Sequence, residues 1–115
     1  MNTYFVVFCI PADLMADWVE HTPEDERAAQ SDQMMQAWAA WRDAHAAMIK
    51  DDGQPLGKTK RVTANGIEDA RNDLNYYLLI EAESHEAAAE AVKDNPHVQM
   101  IPGSYVDVIE MPKMR

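Results

Sequence analysis

Residues Tyr4 to Ile10 form an unbroken aromatic and β-branched run that stops at Pro11, the pattern of a strand covered on both faces. After Pro11 a short helix is expected from Ala12 to about Glu20, with Leu14, Trp18 and Val19 along one side. Thr22-Pro23-Glu24-Asp25 starts a second helix: Thr22 can cap, proline suits the first turn, and the acids oppose the positive end of the helix dipole. Apolar spacing carries this helix from about Pro23 to Asp51, before Gly53, on a stripe of Met34, Trp38, Trp41, His45 and Met48. Ala37, Ala40, Ala44 and Ala47 thin the flank and allow close approach to a sheet.

Gly53-Gln54-Pro55-Leu56-Gly57 reads as a turn. Lys58 to Ala64 alternates charged and uncharged residues, as an edge strand guarded against mispairing does. Asn65-Gly66 is a tight-turn dipeptide, but Ile67 to Asp73 is too polar for a returning strand, so a loop is expected there. Leu74 to Ala82 is the next strand. Ser84 caps a helix from His85 to about Asp94, which Asn95-Pro96 ends. A loop through Pro102-Gly103 leads to a last strand, Ser104 to Met111.

Strand, helix, strand, strand, helix, strand is the order of an α+β, ferredoxin-like βαββαβ fold, with two helices on one face of a four-stranded antiparallel sheet. The 115 residues make one domain. Two helices cover one face only, whereas Tyr4–Ile10, Leu74–Ile80 and Tyr105–Ile109 are apolar on both alternations. A second copy of the sheet is the simplest cover, so a homodimer is expected.

Composition excludes several functions. Twenty acidic residues against ten basic ones give a net charge of −10, which repels nucleic acid and anionic lipid. No apolar run approaches the ~20 residues of a membrane span, and the N-terminus has no secretory-signal pattern. The lone Cys9 forms no internal disulfide, and a cytoplasmic location is expected. The histidines show no HxH or HxxxH spacing, and phosphate loops, nucleophile elbows and CxxC pairs are missing, so neither a metal nor another cofactor is expected.

Taken together, these segments resemble the YCII-related family, small proteins of the ferredoxin-like, dimeric α/β-barrel superfamily. The matching residues are Tyr4 to Ile10 with Pro11-Ala12, the helix bearing Trp38 and Trp41, Gly53-x-Pro55-Leu56-Gly57, Tyr76-Tyr77-Leu78-Leu79-Ile80, Asn95-Pro96-His97-Val98, and Val106 to Pro112. Asn75 stands where the family often has glycine. The resemblance implies a dimeric barrel and, for some relatives, a His–Asp pair in a cleft.

The resemblance places that role either on His97 as acid or base with Asp107 as its orienting carboxylate, or on His45, acting on a small, partly apolar organic substrate. His45, Trp38, Trp41 and Tyr77 are the expected ligand-pocket residues. Each has a structural alternative. His97 can bond a loop carbonyl, Asp107 can pair with Lys60 or Arg61, His45 can sit satisfied at the core edge, and the tryptophans can pack helix on sheet. Two functions therefore stand side by side: a cofactor-independent enzyme, or a non-catalytic dimeric module that binds a small molecule or a partner. The first requires His97 or His45 within hydrogen-bond reach of a carboxylate.

Overall fold

The computed structural model describes residues 1–113. Ten elements follow one another: β1 (Asn2–Cys9), α1 (Ala12–His21), α2 (Glu24–Ala44), β2 (Ile49–Pro55), β3 (Thr59–Thr63), β4 (Gly66–Ala70), β5 (Leu74–Ala82), α3 (His85–Lys93), α4 (Pro96–Met100) and β6 (Tyr105–Glu110). β2, β5, β1 and β6 lie in that order in one sheet, and every neighbouring pair is antiparallel. The result is an α+β molecule consistent with a ferredoxin-like fold.

Alternation along the strands decides what faces the helices. Tyr4, Val6 and Phe8 of β1 and Leu78, Ile80 and Ala82 of β5 point to one side and bury against Trp41, Ala88 and Val92. The Trp41 indole donates to the Ala91 carbonyl at 3.2 Å, which ties α2 to α3. Ser84 caps α3 by accepting the Ala87 amide, as expected. Asn95 caps α4 through the His97 amide, with Pro96 in the first turn. Reading Pro96 only as a stop hides this short helix, which the loop expected there did not include.

Three expectations in the middle of the chain are corrected. α2 ends at Ala44, not Asp51, and residues 49–55 form β2. Ile49 pairs with Ile80 and Gln54 with Tyr77. These residues include Gly, Pro and two adjacent aspartates, poor strand formers, but the free edge of β5 supplies carbonyl and amide partners that local preference does not register. Second, the first part of the segment expected as a loop does return as a strand: β4, which ends at Ala70, pairs with β3, matching Val62 with Ile67 and Lys60 with Asp69. Polarity misleads there because the hairpin is a two-stranded sheet of its own, with no buried residue on either strand. Third, β3 is not an edge of the main sheet. The turn falls on Ala64-Asn65, and Gly66 opens β4 with φ of 135°.

Candidate functional site

On the helix side of the sheet, aromatic rings gather around Phe8. Trp38 meets Phe8 edge-on at 4.9 Å, His97 meets it at 5.4 Å, and Trp41 touches Trp38 at 5.8 Å. Offset and edge contacts of this kind add to the stability of area burial. His97 is 5 % exposed, and its Nε2 lies 2.9 Å from the Cys9 carbonyl oxygen. Burial pushes its pKa below the ordinary value, and the Cys9 hydrogen bond opposes that only in part. The ring is therefore a neutral donor that satisfies a buried carbonyl.

His45 stacks on Trp41 at 4.6 Å and turns Nδ1 to the Trp41 carbonyl at 2.9 Å. His85 reaches the Val108 carbonyl at 2.7 Å, and His21 the Asp17 carbonyl at 3.1 Å. All four histidines thus face backbone oxygens. The one carboxylate within 4.0 Å of a histidine among the described residues is Asp17, beside His21 on the exposed side of α1. Glu20 completes a solvent-facing group with these two on the same helix.

Asp107 lies on the other side of the sheet. It pairs with Val7, whose side chain alternates away from Phe8 and His97. The fold does not bring His97 and Asp107 together within a subunit. Nor does it gather the four expected pocket residues: Trp38, Trp41 and His45 lie on the helix side, while Tyr77 stacks on Phe5 at 5.5 Å on the opposite side. Lys60, one of the two expected partners of Asp107, pairs with Asp69 on its own hairpin.

The opposite side is built in rows that cross the sheet. Leu79, Phe5 and Ile109 make one row; Tyr77, Val7 and Asp107 make the next; Cys9 and Tyr105 follow. Ile109 remains 46 % exposed and Tyr105 40 % exposed. The Tyr105 hydroxyl donates to Asp73 Oδ2 at 2.9 Å, and Asp73 Oδ1 accepts the Ala12 amide at the start of α1. Losing that hydroxyl proton would break its bond to Asp73, so the Tyr105 pKa is pushed up to about 12. Burial pushes the Cys9 thiol up, and the nearby Asp107 carboxylate adds to the effect.

Sequence reasoning missed Arg42. Its guanidinium lies over Trp38 at 5.5 Å and Tyr76 at 5.9 Å, and donates to the Tyr76 hydroxyl at 2.6 Å. Tyr76 in turn donates to the Asp52 carbonyl at 2.7 Å, so the cation ties α2 to the β2–β5 edge. The available signal was its position four residues after Trp38, on the same side of α2. Two open clefts accompany these groups. One of about 670 Å³ lies at the root of the β3–β4 hairpin, beside Lys58, Asp69, Arg71 and Leu74. The other, of about 340 Å³, lies beside Arg42, Lys50 and Asp52. Neither is lined by His97 or Asp107.

No family model matches the chain, the YCII-related one included, and no curated protein matches it. Among solved structures, it is similar to 5-chloro-2-hydroxyhydroquinone dehydrochlorinase from Burkholderia phenoliruptrix AC1100, seen in complex with 2,5-dihydroxybenzoquinone. The identity is 19 %, the TM-score 0.44, and the match covers 93 % of this chain and 91 % of that one.

Proposed function

We propose that the chain works as a homodimer of ferredoxin-like subunits, a dimeric α/β barrel of YCII-related type. Its two sheets face one another and bind a small, partly apolar molecule between them. The observation that carries this reading is the row Leu79–Phe5–Ile109, half-buried at Leu79 and Phe5 and exposed at Ile109, with Tyr77 and Asp107 beside it and no helix over it. Apolar side chains in water on a contiguous sheet face favour association.

Surface area supports the same reading. The subunit exposes 8266 Å², whereas a compact 13.0 kDa monomer exposes about 6,300 Å². That surplus exceeds the ~800 Å² each partner contributes to a standard interface. The radius of gyration, 15.9 Å, likewise exceeds the roughly 13 Å of a compact chain this long.

A binding role has more support than histidine chemistry, because His97 and His45 both engage backbone carbonyls and reach no carboxylate. Asp107 and Tyr77 would then supply the polar contacts that orient a bound molecule.

Sedimentation velocity from 1 to 100 μM tests the dimer. The expected species has twice the 13.0 kDa chain mass, and Phe5→Asp reverts it to monomer; wild-type protein that stays monomeric throughout overturns the reading. Titration with Nile red, a neutral apolar fluorophore, tests the ligand site. Saturable binding weakened by Tyr77→Ala is expected, and a purely linear response removes the site.

A further inference from the structure

β3 and β4 pack on each other and only marginally on the rest of the subunit. Two five-residue strands without a supporting layer are marginal in water. Yet this hairpin places two aliphatic side chains opposite one another: Val62, 72 % exposed, pairs with Ile67, 73 % exposed. Lys60 and Asp69 form the next pair along the same face of the ribbon. The Val62–Ile67 pair holds the ribbon together across its two strands, yet most of both side chains remains in water.

Charge identifies what the arm meets. Segment 58–71 holds four of the chain's ten cations (Lys58, Lys60, Arg61 and Arg71) and two of its twenty acids. It is therefore positive by two, while the remaining residues are negative by twelve. A cationic arm is attracted by the acidic body of a second copy of the same chain, although the two arms and the two bodies repel each other.

We infer that the β3–β4 hairpin is a dimerisation arm, which lays Val62 and Ile67 on a second copy while Lys58 and Arg61 pair with the carboxylates of its acidic surface. The inference rests on the dimer proposed above and adds a second contact to it. By two-fold symmetry each dimer carries two such arms, so any change in one chain acts twice. The arm also accounts for part of the surplus surface, since its residues are almost all exposed in the lone subunit.

Two measurements decide it. In the first, unlabelled and ¹⁵N-labelled chains are mixed, re-equilibrated and treated with a carbodiimide that joins lysine amines to carboxylates. Peptides linking Lys58 of one isotope to acidic residues of the other are expected. Links confined to one isotope, such as Lys60 to Asp69 within a hairpin, overturn the inference. In the second, the dimer dissociation constant of Val62→Ser/Ile67→Ser is measured by sedimentation. At least a tenfold weakening is expected, and a value within twofold of wild type means that the arm is free for some other molecule and overturns the inference. A dimer that survives both results keeps the sheet-face reading intact, whereas a monomeric wild type removes both.

Discussion

His97 Nε2 lies 2.9 Å from the carbonyl oxygen of Cys9, 88 positions earlier in the chain, and joins the first turn of α4 to the end of β1. The folded protein holds this ring neutral because burial lowers its pKa from the ordinary 6.5. The unfolded chain therefore binds a proton that the folded chain refuses. Stability should fall as pH drops through 6.5 and stop falling below the folded-state value. Urea midpoints between pH 8 and 5 should show this slope in wild type. His97→Gln retains a donor for Cys9 but does not titrate, and should flatten it; equal slopes would contradict the assignment. His97→Ala should cost about 2–4 kcal/mol through the cavity and the orphaned carbonyl.

Tyr105 and Asp73 make a second titrating pair. Because the folded Tyr105 pKa is about 12 against an ordinary 10.0, its contribution to stability is complete below 10 and is lost as pH rises through 12. Ultraviolet phenolate titration should find one tyrosine ionising last. Tyr105→Phe should delete that step, and Asp73→Asn should move it toward the ordinary value. If the last step survives Tyr105→Phe, another ring is responsible.

Gly53 of β2 has φ of 63°, and a Cβ there would lie 1.6 Å from the Tyr77 carbonyl oxygen and 2.6 Å from its carbon. Both atoms are backbone, so no side-chain rotation relieves the clash. Gly53→Ala should cost at least ~2 kcal/mol and accelerate amide exchange along β2 while the β1–β5 amides stay protected. A variant with wild-type stability would mean that β2 pairs with β5 in some other register.

Cys9 is 1 % exposed, and burial followed by the Asp107 charge raises its pKa. Native protein at pH 7.5 should alkylate with iodoacetamide at least a hundredfold more slowly than urea-unfolded protein. Asp107→Asn should lower the thiol pKa yet leave the reaction slow, because access and not ionisation limits it. Rapid labelling of the folded chain would show that the end of β1 opens.

The ends of the chain were legible because local and tertiary signals agree there. Leu74–Ala82 is an apolar run with one structural solution, and the Ser84 and Asn95-Pro96 signals mark α3. The middle was not. Ala44 to Met48 continue a helical pattern in composition, and only the unfilled edge of β5 makes residues 49–55 a strand. The polar β4 likewise owes its conformation to β3, not to a core. For the site, the resemblance singled out His97 and Asp107, but nothing in it told that one residue's difference in register on β1 puts a sheet between them. His97 packs edge-on against Phe8, whereas Asp107 pairs with Val7, the neighbour of Phe8 that points to the opposite face.

β2 has one further consequence. It is an outer strand of the main sheet, and its pairing is interrupted twice, around Asp51 and again before Gln54. Pro55 lacks an amide hydrogen, and Asp51 spends a carboxylate oxygen on the Gly53 amide. A crooked margin of this kind gives an incoming chain no straight template, so it resists fibril growth at that rim even when the protein is concentrated.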